Sequence, residues 1–96
     1  MKFALVLTDK PDSSELRNAT RSAHIEWVDQ RLSQVVTGGP LLDREGNVIG
    51  SLLVIEAADL KEAEDFAAAD PYQKAGLFAS TVISEYKALI KDGRRA

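Results

Sequence analysis

His24 is the only imidazole in this 96-residue chain, and two arginines precede it at helical spacing. Arg17 lies seven residues earlier and Arg21 three, so on a helix the three nitrogen-rich side chains line one edge. Such an edge suits an anionic ligand (a carboxylate, phenolate or enolate), because a guanidinium offers charge-assisted donors. The same pattern fits a solvated basic helix face with a partly buried structural histidine. Asp70 precedes Pro71 and is a natural helix N-cap, yet a carboxylate has two oxygens, so capping leaves one free to orient an imidazole. Ser51, following Gly50 at the start of an apolar run, is either a pocket hydroxyl or simply a small strand residue.

Other chemistries find less support. A Ser-His-Asp hydrolase would need a nucleophile elbow and an oxyanion hole, and neither is recognisable. One histidine and no cysteine leave too few customary ligands for a zinc site. The missing cysteines also exclude disulfides and thiolate nucleophiles. Gly38-Gly39-Pro40 lacks the Lys-Ser/Thr of a phosphate-binding loop. No metal site and no cofactor are expected.

The elements that must position these residues belong to one domain, residues 1–96. A domain of this size buries a modest share of its surface and often recruits a partner subunit. Apolar residues at 45% and charged ones at 28% give a globular balance. The net charge of −3 argues against a nucleic-acid surface, and Arg94-Arg95 is too short a basic run to overturn that. Lys91 to Ala96 reads as a polar, flexible tail. The opening Met1–Thr8 run is too short for a signal peptide and is followed by Asp9-Lys10-Pro11-Asp12. No segment approaches the roughly 20 apolar residues of a membrane span, so a cytoplasmic location is expected.

Phe3 to Thr8 is apolar on both alternating faces, the pattern of a strand buried on two sides. From Glu15 to about Leu32 the period becomes helical, with Leu16, Thr20, Ala23 and Trp27 on one stripe. His24 falls about 60° from Trp27, on the shoulder of that stripe. Ser or Asp before Glu15 is available as the N-cap. Val35 to Thr37 is a short strand ending at Gly38-Gly39-Pro40, and Asp43 to Asn47 is a hairpin turn. Val48 to Glu56 is a second strand apolar on both faces. Asp59, with Glu62 as capping-box partner, opens a helix whose buried face is Ala63, Phe66 and Ala67. Asp70-Pro71 starts a short turn that Gly76 ends, and Phe78 to about Ile90 is the last strand, although Glu85 onward also fits a helix. The order βαββαβ is the ferredoxin-like α+β arrangement, an antiparallel sheet with helices on one face. Strands apolar on both faces need a cover for the second face, and the simplest cover is the sheet of an identical subunit in a homodimer.

The pieces Arg21-x-x-His24 with Trp27-Val28, Gly39-Pro40-Leu41-Leu42, Gly46, Gly50-Ser51-Leu52-Leu53-Val54 and Asp70-Pro71-Tyr72-x-x-Ala75-Gly76-Leu77-Phe78 occur in one order and spacing. In them the chain resembles the YCII-related family of small bacterial proteins over nearly its whole length. The resemblance implies a dimeric α+β barrel, a His-Asp pair at His24 and Asp70, and Ser51 beside the pocket. Tyr72 joins Arg17 and Arg21 as a substrate-binding candidate. One activity associated with the family is dehydrochlorination of a chlorinated hydroxyhydroquinone; similar barrels include muconolactone isomerase and heme-free monooxygenases. The expected chemistry is proton transfer without a cofactor. His24 would act as general acid/base, Asp70 would fix its tautomer, and Arg21 or Arg17 would hold an oxyanion. The alternative is a dimer that only binds a small anionic metabolite, or an accessory subunit with a vestigial pocket.

Overall fold

The alternation in the first strand sets which side of the sheet becomes the core. The computed structural model describes residues 1–96. Strand β1 (Lys2–Asp9) buries Phe3, Leu5 and Leu7 and turns Ala4 and Val6 the other way. Helix α1 (Ser14–Asp29) and a single 3-10 turn (Leu32–Gln34) follow. Then come β2 (Val35–Leu42), β3 (Val48–Glu56), α2 (Leu60–Ala69), the one-turn helix α3 (Pro71–Lys74) and β4 (Phe78–Tyr86). The sheet order is β2-β3-β1-β4 with every pairing antiparallel, so the chain has the ferredoxin-like α+β fold.

Register assembles the core layer. Leu5 stands opposite Leu53 on one side and Ile83 on the other, and Phe3 stands opposite Ile55. Onto this layer α2 lays Ala63, Phe66 and Ala67, and the segment after it adds Tyr72, Leu77 and Phe78. Each large side chain so buried contributes about 1.5–3 kcal/mol. The opposite face is largely open within the chain: Val54 is buried, but Val6 and Leu52 are each 38% exposed and Val82 55%.

Local chemistry differs from the sequence expectation in several places. Strand β2 does not stop at Gly38 but runs through Pro40, which pairs with Ser51. The sheet tolerates proline there because β2 is an edge strand and needs its donors on one side only. Helix α1 ends at Asp29, three residues early, and the hydroxyl of its N-cap residue Ser13 donates to the Pro11 carbonyl instead of accepting from the helix. Asp59 does cap α2, accepting from the Glu62 amide at 2.9 Å, but the Glu62 carboxylate reaches the Ala58 amide, so the capping box is offset by one residue. Strand β4 ends at Tyr86, and Glu85 is strand, not helix. The polar C-terminal segment forms a small hairpin, β5 (Ile90–Lys91) against β6 (Arg94–Arg95), turned through Asp92-Gly93.

Candidate functional site

Helix α1 packs chiefly against α3. The gap it leaves toward β2 and β3 is a cleft of about 600 Å³. Arg17, Arg21 and His24 line it from α1, Gly38 and Pro40 from β2, Ser51 and Leu53 from β3, and Tyr72 from α3. The inward side of α1 therefore carries Arg17, which is buried, and the half-buried Thr20, His24, Trp27 and Val28. The expected stripe is corrected: Leu16 is 37% exposed and Ala23 is exposed. Helical periodicity finds apolar faces, whereas the inward face here also carries Arg17 and His24 into a cleft of mixed lining.

Asp70 lies behind His24, at the point where α2 ends and α3 begins. The His24 ring approaches it through Nδ1, 2.9 Å from Asp70 Oδ1, and the Asp70 side chain is only 3% exposed. The same oxygen accepts from the Tyr72 amide, also at 2.9 Å, which makes Asp70 the N-cap of α3. The expectation that cap and imidazole would use different oxygens is thus corrected: Oδ1 takes both. Opposite an ionised carboxylate, which can only accept, this contact requires the proton on Nδ1, and a neutral ring would then keep its lone pair on Nε2. Local sequence dictates this junction. Pro71 cannot continue α2, Asp70 caps the new turn, and Gly76 (φ +79°) closes it in the left-handed region.

Tyr72 and Arg17 complete the wall. The Tyr72 ring stacks on His24 with centroids 4.1 Å apart and planes 19° from parallel. The Arg17 guanidinium lies 4.6 Å from the centroid of the same Tyr72 ring. Arg17 is held by Asp9 through two bonds, Nε to Oδ2 at 2.7 Å and Nη2 to Oδ1 at 2.9 Å. Its Nη2 also donates to Ser51 Oγ at 3.0 Å. Burial alone would lower the Arg17 pKa, but the Asp9 carboxylate outweighs it and holds the guanidinium above its ordinary value. Burial raises the Tyr72 phenol above its usual range, with Arg17 opposing.

Charge accounting separates the two arginines. Asp9 offsets the charge of Arg17, so an incoming anion does not meet it as a free cation. Arg21 is exposed at the cleft and makes no hydrogen bond or ion pair within the chain. The structure thus brings Arg17, Arg21, His24, Ser51, Asp70 and Tyr72 to one place. The sequence reading missed Asp9, although a signal was present: Phe3, Leu5, Leu7 and Asp9 alternate, which puts a carboxylate on the core side of β1. No three His, Cys, Asp or Glu side chains cluster in a way that could hold a metal ion. No helix is long and apolar enough to cross a membrane.

The molecule is thus an antiparallel ferredoxin-like sheet with a histidine and a buried aspartate behind one cleft. Residues 1–87 match the YCII-related domain, and the chain belongs to that family. It is 30% identical over 95 residues to an uncharacterized protein of Haemophilus influenzae, covering 91% of this chain and 97% of that one. It is 28% identical, with the same coverage, to the protein YciI of Escherichia coli. Among solved structures it is similar to the 5-chloro-2-hydroxyhydroquinone dehydrochlorinase TftG of Burkholderia phenoliruptrix, determined in complex with 2,5-dihydroxybenzoquinone. That likeness has a TM-score of 0.84 at 32% identity and covers 91% of this chain and 94% of the other.

Proposed function

We propose that the cleft takes a small, cyclic or aromatic anion and that His24 exchanges a proton with it in a lyase- or isomerase-type reaction needing no cofactor. The observation that carries this reading is the 2.9 Å contact of His24 Nδ1 with Asp70 Oδ1 in a residue that lines the cleft. A base must present a fixed lone pair to its substrate, and a buried carboxylate on Nδ1 assigns that role to Nε2. The imidazolium formed when Nε2 accepts a proton is stabilised by the same carboxylate. Tyr72 supplies a flat wall, and Arg21 supplies the cationic charge for a phenolate or enolate oxygen. The likeness to a dehydrochlorinase supports a substrate of this size and flatness, since loss of hydrogen chloride requires a base to take a proton.

The test is turnover of hydroxylated quinols and lactones by the wild type and by His24→Ala. Loss of turnover with retained binding supports acid/base catalysis. Binding without turnover across the panel by the wild type leaves a metabolite-binding protein and overturns the enzymatic reading. We further propose that the working form is a homodimer joined through the uncovered sheet face. Val6, Leu52 and Val82 would otherwise present contiguous apolar surface to water.

A further inference from the structure

We infer that Asp9 is a positioning residue of this site: it sets the orientation of Arg17, and through Arg17 the Tyr72 ring on which His24 is stacked. The inference rests on the reading of the cleft as a ligand site. Asp9 ends β1 at an irregularity, where the pairing with β4 shifts between Thr8 and Asp9. Its side chain is 7% exposed and that of Arg17 11%, so the pair is largely withdrawn from water. Breaking such a pair by removing one partner leaves an uncompensated buried charge, which the surroundings must move to satisfy.

The geometry of the pair explains why a carboxylate is needed at this position. A planar guanidinium that gives Nε and Nη2 to two oxygens of one carboxylate has its plane fixed. With that plane fixed, Nη2 also reaches Ser51 Oγ at 3.0 Å while Cζ stays 4.6 Å from the Tyr72 centroid. Because Ser51 Oγ accepts from Arg17, the hydroxyl proton is left to donate elsewhere. Asp9 therefore influences two cleft-lining side chains, Ser51 and Tyr72, that it does not touch. Arg17 also borders a second, more polar groove of about 560 Å³ along the β1–α1 loop, so the ion pair forms part of the partition between the two spaces.

The test combines ring-proton NMR of His24, unambiguous for a sole histidine, with binding of 2,5-dihydroxybenzoquinone. Asp9→Asn keeps the shape of the side chain but has one acceptor oxygen, so the fork is lost. The expected result is an affinity about tenfold weaker, the scale of losing one well-oriented contact. The His24 ring protons should move downfield as stacking on Tyr72 loosens, and Asp9→Glu should recover part of both effects. Ile55→Val, a core change remote from the pair, should lower the melting temperature without moving those protons. If Asp9→Asn lowers stability while the His24 protons and the affinity stay at wild-type values, Asp9 merely fastens β1 to α1 and the inference is overturned. Where Asp9→Asn fails to fold, Arg17→Lys removes the fork while keeping the charge, and unmoved His24 protons overturn the inference equally. A wild type with no affinity for the quinone sinks that ligand class for the cleft, and the ring protons alone then decide the role of Asp9.

Discussion

His24 and Tyr72 lie face to face with their ring centroids 4.1 Å apart, and the amide of Tyr72 shares with the His24 ring a single oxygen of Asp70. Imidazole, phenol and carboxylate are thus fixed relative to one another by three short contacts. This arrangement should be visible in the tautomer of His24. Neutral His24 is expected to be the Nδ1–H form, read from its two ring ¹⁵N shifts, and Asp70→Ala should release that preference. An Nε2–H tautomer in the wild type would contradict the proton donation inferred for Nδ1.

Asp70→Ala should also cost stability, because it removes the cap of α3 as well as the imidazole partner. Loss of an N-cap is worth about 0.5–2 kcal/mol. Asp70→Asn retains an acceptor for the Tyr72 amide and should keep most of that amount in a urea titration. Equal midpoints for all three proteins would contradict the capping role.

Arg21 should affect binding and not folding, since it is exposed and unpaired within the chain. Arg21→Gln is expected to leave the melting temperature unchanged. It should weaken an anionic quinone by about 0.5–1 kcal/mol, roughly a factor of two to five, because an exposed charge pair is screened. Added salt should narrow the difference between the two proteins. A variant that binds as tightly as wild type at low salt would remove Arg21 from the site.

The alkaline limb of the stability profile should carry a contribution from Tyr72. Its folded pKa is raised above the ordinary phenol value by burial. A raised folded pKa means that the folded state holds its proton more tightly, so the contribution is complete below the unfolded value of about 10. It is lost as pH rises from there through the folded value. Tyr72→Phe removes the ionisation, so its stability should fall less steeply than that of wild type above pH about 10. Parallel profiles would show that the phenol does not titrate differently in the two states.

The proposed homodimer predicts that one charge on the uncovered face disrupts assembly without disturbing the core. Leu52→Asp should give a soluble, folded monomer by light scattering, since Leu52 is already 38% exposed within one chain. A wild type of monomeric mass at micromolar concentration would eliminate the dimer. Leu53→Asp is the contrasting case: Leu53 belongs to the core layer, so an unpaired carboxylate there should prevent folding.

Much of the scaffold is legible because the apolar runs of β1 and β3 mark them as strands, and Asp59 and Asp70 cap helices as their positions suggest. Expectation and structure part where an edge strand and a cleft-lining helix depart from the local rules. Gly38-Gly39-Pro40 looked like a strand end, yet an edge strand absorbs it, and a Cβ at Gly38 would collide with the Leu53 side chain. The inward face of α1 departs from a simple apolar stripe because it presents Arg17 and His24 to a cleft while only Trp27 packs against the core. His24 and Asp70 are 46 residues apart in sequence, and periodicity within single elements cannot bring them together; only the family resemblance did. Asp9 carried a signal in the β1 alternation, but its partner Arg17 lies on another element, so the meaning of that carboxylate appears only in three dimensions.

Because one oxygen of Asp70 accepts from both the Tyr72 amide and the His24 ring, the amide is coupled to the charge of the imidazole. An imidazolium draws that oxygen more strongly than a neutral ring does, so the competing amide bond to it should weaken in response. The exchange rate of this single backbone hydrogen with solvent deuterium, measured against that of the Lys74 amide in the same turn, is then expected to respond to the charge on the His24 ring. A hydrogen that takes no part in the proposed chemistry thereby becomes its gauge, available before any substrate is known.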